Sequence, residues 1–351
     1  MMLSKIKNKS NKIVKKIRPN KEELPVRITN ETIDLHRENI ISSGRKFKYP
    51  IQYAKHKLVY NALIILISVA IIFSSIVWWQ LYQAQTSNDF FYRIARIFPL
   101  PVAMIDGELV PYKDYLMKFN SSIHYFENIE KINLQNNETS SPLDYYKKIS
   151  MKEALMNAYA RKIIKQKKLS IDINDIDTLL KQQRISSTGQ VSQQTYNAVI
   201  LEYYNWTEEE YRYALENTII RQTAAYSLDE EALAIANKVS ETINSGNSDL
   251  SLIAKNFNQS SDRKIEFVDS GSVSKNNSDR GILTEASLLE KNKISKIYKP
   301  VAGDGYYLIK LIDINDTKIQ YQYIKISIKS LEDKVSELQK ANKVKYYIKM
   351  P

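Results

Sequence analysis

The stretch LVYNALIILISVAIIFSSIVWWQL, Leu58–Leu81, decides how the rest of the chain is read. Residues 58–88 carry no charge and lie between Lys57 and Asp89. As a helix, Leu58–Trp79 would extend roughly 33 Å, against about 30 Å of hydrocarbon in a bilayer. Tyr60 stands near one end, with Trp78, Trp79 and Tyr82 near the other, and amphipathic rings favour both lipid–water interfaces. The length, the lack of charge and the aromatic ends argue against a buried core helix. A cleavable signal would be shorter and would start nearer the N-terminus. The reading is one transmembrane helix at 58–81.

The net charge of +12 is distributed unevenly about this helix. Residues 1–57 hold 15 Lys and Arg against 5 Asp and Glu, leaving only +2 for the remaining 294 residues. Lys46, Lys48, Lys55 and Lys57 crowd the N-terminal flank, so the positive-inside rule places residues 1–57 in the cytoplasm and 82–351 outside it. Few apolar residues, with Pro19, Pro25 and Pro50, predict a basic and largely disordered tail. Its charge either holds anionic headgroups, at about 1 kcal/mol per basic residue near the surface, or only fixes topology. A near-neutral outer region removes the main support for nucleic-acid binding. The absence of cysteine excludes disulfides and thiolate chemistry.

Beyond a juxtamembrane linker at 82–101, which includes an amphipathic piece from Phe90, two apolar runs flank Asp106-Gly107 and predict a tight hairpin. Pro111 suits a helix start, and Tyr112, Leu116, Phe119, Ile123 and Phe126 recur at helical spacing. Further helices are predicted at 143–168, 174–183, 196–204, 232–243 and 250–257, with a loop at 185–190. Thr207 and Glu210 form a capping box, and Ser227 with Glu230 looks like a second one. Past this point the pattern turns extended. Strands are expected over 264–273, 299–302, 306–312 and 318–328, with helices at 281–289 and 331–341 and a final strand at 344–348. The alternation in Lys318–Ile328 changes phase at Tyr323/Ile324, which predicts a bulge or a strand buried on both faces. The fold class is α+β, mostly α.

The segment PVAMIDGELVPYKDY resembles the "vAxVNGexIsxxey" opening of the SurA/PrsA-type chaperone-foldases, which include membrane-anchored PpiD-like forms. YNWTEEEYRYALENTIIRQTAAY is similar to a later helix of that family. INSGNSDLSLIAKNF and NKISKIYKPVAGDGYYLIKLID resemble parts of its parvulin-type peptidyl-prolyl isomerase module. The resemblance implies a SurA-like helical chaperone module at 102–228 and a degenerate parvulin-like module at 229–351. Parvulins that catalyse isomerisation carry histidines on two neighbouring strands with a Cys or Asp between them. Here those positions hold Tyr307 and Tyr323. All three histidines, His36, His56 and His124, lie outside the module. The strand Lys318–Ile328 then fills the vacant first place in the sheet, beside Tyr306–Ile312.

No catalytic, cofactor or metal motif is present. Asp262 and Asp269 are candidates for a parvulin acidic residue, but without histidine partners. The 24 tyrosines are the compositional oddity, because Tyr offers contact area at low entropy cost with a hydroxyl for backbone groups. Tyr112, Tyr115, Tyr125, Tyr203 and Tyr204 are the candidate peptide-binding residues, against the alternative that they fill the core. The expected function is a single-pass, extracytoplasmic chaperone binding unfolded or nascent secreted polypeptides without catalysis. The rivals are an active parvulin-type isomerase and a bitopic envelope scaffold.

Overall fold

The computed structural model describes residues 29–48, 50–132, 142–186, 189–260, 263–277, 279 and 281–351, with backbone alone at 45–48, 50–56 and 260. The described residues divide into two units between Ser75 and Ile76.

In the first unit, α1 covers Asn30–Lys48 and α2 begins at Pro50, running to Trp78. The expected disorder of the tail is corrected for 30–48, while residues 1–28 lie outside the described residues. No proline falls between Pro25 and Pro50, and Glu31 and Asp34 favour the positive N-terminal end of a helix dipole. Thr29 accepts the Thr32 amide at 3.4 Å. Among the described residues one helix, Lys57–Gln83, is long and apolar enough to cross a membrane. Within it Ser75 donates back to the Ile71 carbonyl at 2.8 Å, so its hydroxyl is not left unpaired.

In the second unit a π-helical turn, Trp79–Gln83, leads to α3 (Asp89–Ile97), which Asn88 caps by accepting the Phe91 amide. The expected linker is therefore structured: Val77, Leu81, Phe91, Ile94 and Ala95 all enter one core. Strands β1 (Pro101–Ile105) and β2 (Glu108–Pro111) form the predicted hairpin. Asp106 and Gly107 turn it with positive φ, at 46° and 85°. Lys162 reaches its tip, 2.6 Å from Asp106 Oδ2. Then follow α4 (Tyr112–His124) with a π-helical turn at Tyr125–Ile129, α5 (Pro142–Lys167) and α6 (Ile173–Gln183). A two-residue hairpin, β3 (Ile185–Ser186) and β4 (Gly189–Gln190), replaces the expected loop. Helices α7 (Gln193–Tyr204) and α8 (Glu208–Leu228) follow, α8 opened by the predicted capping box.

The second expected capping box is not formed. Helix α8 runs through Ser227, whose hydroxyl donates back to Ala224 O at 2.8 Å. Asp229 caps α9 (Glu230–Asn244) instead, accepting the Ala232 amide at 3.2 Å. After α10 (Leu250–Ser260) come β5 (Ile265–Asp269), β6 (Val273–Ser274), α11 (Ile282–Ser287), β7 (Gly305–Ile314) and β8 (Lys318–Ser327). The expected strand at 299–302 is a turn. Pro300 has no amide to give to a ladder, and its carbonyl accepts Gly303 N–H at 3.2 Å.

Strand β8 is central, with β7 antiparallel on one side and β5 and β6 on the other. Leu308 and Ile324 are register partners, as expected for adjacent strands at 306–312 and 318–328. The phase change at Tyr323/Ile324 now has its cause. Ile319 and Tyr321, with Tyr323 partly buried beside them, face the core under α11, and Ile324 and Ile326 face the core under α9 and α10. The strand is buried on both faces, and the bulge lies in β7 between Leu311 and Asp313.

The chain then leaves this sheet. Helix α12 (Leu331–Lys340) places Leu331 and Val335 in the core of α3–α5, and β9 (Val344–Tyr346) pairs antiparallel with β1. Assigning all of 229–351 to one module is thus corrected: residues 331–348 complete the first module, because the β1 edge and the α5 face would otherwise be open.

Candidate functional site

The five candidate tyrosines separate into two groups. Tyr112 and Tyr115 are core residues, 1% and 3% exposed, and Tyr112 donates to the Leu81 carbonyl at 2.6 Å. Their assignment to a peptide surface is corrected: α4 turns this stripe inward against α5 and the hairpin. Burial raises both hydroxyl pKa values.

Tyr125, Tyr203 and Tyr204 instead lie outside the core, where the π-turn after α4 meets the C-terminal end of α7. The Tyr125 and Tyr203 rings are 6.3 Å apart, and Tyr204 stacks on Trp206 at 5.2 Å. Phe126 and Tyr146 continue the Tyr125 side, with centroids 4.6 Å apart. Tyr203 and Tyr204 are 40% and 42% exposed, beside exposed Val199 and Leu201. Only Ile200 of α7 is buried. The C-terminal half of α7 is apolar apart from Glu202, yet most of it is open. The run AVILEYY carried that signal in sequence. Trp206 was missed because the candidates were picked from the tyrosines alone.

Two features fix this aromatic row. Asn205 ends α7 in the left-handed conformation, φ 55°, and its amide bonds Leu201 O. His124 Nε2 donates to the Glu202 carbonyl at 2.8 Å, and His124 Nδ1 accepts from Asn128 at 3.1 Å. A carbonyl only accepts, so Nε2 carries the proton in this contact and the ring acts as a brace. Tyr125 donates to Glu130 Oε1 at 2.6 Å, a bond that raises its pKa.

A polar seam between α4, α5 and α8 is the second feature that sequence reading missed. Asp114, whose side chain is fully buried, pairs with Arg161 and accepts from Tyr213 at 2.7 Å. Arg161 also donates to Asn217 at 2.6 Å, and Arg221 to Asn157 at 2.6 Å. A groove of about 120 Å³ opens beside it, lined by Tyr92, Arg96, Lys113, Met117, Glu210 and Tyr213. Arg96 pairs there with Glu210 at 3.1 Å and with Glu209 at 3.5 Å, and Lys113 lies over the Tyr213 ring at 4.4 Å.

In the second module Tyr307 and Tyr323 do come together, with ring centroids 5.6 Å apart on adjacent strands. Tyr307 is 2% exposed and donates to Asp304 at 2.6 Å. Tyr321 donates to Asp279, and burial followed by the Glu285 and Asp279 charges pushes Tyr298 up to about 12. These contacts make a packed tyrosine face. Asp269 accepts from Gln322 at 2.8 Å and Gln320 at 3.3 Å, bonds that lower its pKa and tie it to β8. Asp262 and the His56 side chain lie outside the described residues, and His36 is exposed on α1. Among the described residues no His, Cys, Asp and Glu group is placed to hold a metal ion. Compared with known proteins, the chain matches no family model, and no curated protein matches it in sequence.

Proposed function

We propose that this chain is a membrane-tethered, extracytoplasmic chaperone that holds unfolded or nascent secreted polypeptides without catalysis. The observation that carries the reading is the exposed pair Tyr203 and Tyr204, set against the half-buried rings of Tyr125 and Trp206 and continued by exposed Val199 and Leu201. Rigid aromatic faces bind apolar segments in many registers at low entropy cost, which suits a partner of no fixed sequence. In this reading α2 crosses the membrane with residues 1–57 in the cytoplasm, where the basic tail meets anionic headgroups. Tethering raises the effective concentration of the row near chains as they emerge.

The pairing of β7 with β8 supports a permuted parvulin-like sheet, and the hairpin-then-helix opening supports a SurA-like first module. A photo-crosslinking residue at Tyr203, in cells exporting proteins, tests the reading. Many nascent chains captured at that position support it, while one stoichiometric partner would favour an envelope scaffold. The isomerase reading draws on the Tyr307–Tyr323 contact. A proline-limited refolding assay showing catalysis that Tyr307→Ala abolishes would restore it.

A further inference from the structure

We propose that α3 lies in the lipid–water interface and seats the stripe Phe90, Arg93 and Ile97 among phospholipid headgroups, so that the outer domain stands on the bilayer. The inference rests on reading α2 as membrane-spanning and goes beyond it, because a tether alone would leave the domain free to swing.

Only residues 82–88 separate Leu81 from α3, and the inner face of α3 shares one core with Val77 and Leu81. The helix is therefore fixed beside the end of the apolar segment. Its outer face is not covered: Phe90 is 56% exposed, Ile97 74%, and Phe98 just beyond it 53%. Phe90, Arg93 and Ile97 stand at i, i+3 and i+7, on one stripe. Single exposed apolar residues are common on protein surfaces, but a stripe combining an aromatic, an aliphatic and a cation is the composition of an interfacial helix. Trp78 and Trp79, each 55% exposed, stand at the same end of the apolar segment.

Arg93 supplies the chemical match. Its neighbour Arg96 is held by Glu210 at 3.1 Å and Glu209 at 3.5 Å. Arg93 is exposed and makes no ion pair among the described residues. A guanidinium there can take a lipid phosphate in a charge-assisted, two-pronged bond while Phe90 and Ile97 enter the acyl boundary. An isolated nine-residue helix would not hold its shape on a membrane, but α3 is already ordered by packing, so binding costs little further entropy.

The chain has no cysteine, so single spin labels can be placed in the full-length protein at Ile67→Cys, Phe90→Cys, Ile97→Cys and Leu288→Cys. The protein is reconstituted in vesicles of phosphatidylglycerol and phosphatidylcholine, and collisions with oxygen and with a water-soluble nickel chelate are measured. The expected result is Ile67→Cys deep in hydrocarbon, Leu288→Cys in water, and the two α3 labels about 5–10 Å below headgroup level. Arg93→Glu should lift the Ile97→Cys label toward water, more strongly with phosphatidylglycerol than with phosphatidylcholine alone. If Ile67→Cys is deep while the α3 labels meet nickel as freely as Leu288→Cys, the inference fails and the membrane-spanning reading stands. Nickel access at Ile67→Cys defeats both. Protection of the α3 labels from oxygen and nickel alike would mean protein covers the stripe, and also overturns the inference.

Discussion

Ile105, at the end of the first strand, lies directly opposite Val344 in the last one. The first and last strands of the second unit thus share a sheet. The hairpin tip is held from the same side, since Asp106 N–H donates to Lys343 O at 2.8 Å. Leu331 and Val335 then bury against the helices of the first module. Leu331→Ala should therefore cost about 2–4 kcal/mol, the range for a large core side chain truncated in a packed interior. Hydrogen exchange would show the loss at β1 and α5 before β7 and β8. Uniform loss at the second sheet would contradict this division.

Asp114→Ala leaves the Arg161 guanidinium in a buried seam with Tyr213 and Asn217 as its remaining partners. Breaking one half of a buried pair costs about 3–5 kcal/mol, because the other charge loses its compensation. Replacing both, as Asp114→Leu with Arg161→Met, should recover much of that loss in urea unfolding. A double variant as unstable as the single one would show that the seam is needed as a polar unit.

How far the sequence revealed this arrangement depended on the range of the interaction. The hairpin at Asp106-Gly107, the Thr207 capping box and the helical stripes are local, so their residues announce them. The two-faced burial of β8 also left a mark, as the phase change at Tyr323/Ile324. The return of α12 and β9 to the first module left none, since Val344 reads as any strand residue and nothing near it names Ile105. The tyrosines show the same limit. Tyr112 and Tyr203 are chemically alike, and only the packing of their helices assigns Tyr112 on α4 to the core and Tyr203 on α7 to the surface. The Asp114–Arg161 pair was likewise unreadable, because two charges far apart in sequence look like solvated residues until their helices meet.

Asp229 gives the fold an acid sensitivity. Burial alone would raise its pKa, but Arg263 at 2.6 Å and the amides of Lys329 and Ala232 more than offset that and lower it from the ordinary 3.8. A carboxylate with a lowered folded-state pKa adds stability above its unfolded value, and that stability is lost as pH falls through the folded value. The wild-type protein should therefore hold its stability from neutral pH to near pH 4 and lose it progressively below. Asp229→Asn should be less stable at pH 7 and show a flatter fall in acid. Thermal unfolding from pH 7 to pH 3 measures both, and parallel curves would remove Asp229 as a cause.

Exposure separates the two roles that tyrosine plays here. Tyr203 and Tyr204 are open to solvent and lie at the end of a helix that buries only Ile200, so Tyr203→Ser with Tyr204→Ser should change stability by about 0.5 kcal/mol or less. Tyr112→Phe should cost more, about 1–3 kcal/mol, because it leaves the Leu81 carbonyl buried without its donor. Client holding should respond in the opposite sense. In an assay of aggregation of a chemically denatured test protein, the double serine variant should lose suppression while remaining folded, and Tyr112→Phe should keep it at temperatures below its own unfolding. The contrast matters because a destabilised protein also loses activity. Full suppression by the double serine variant would mean that the aromatic row is not where unfolded chains are held.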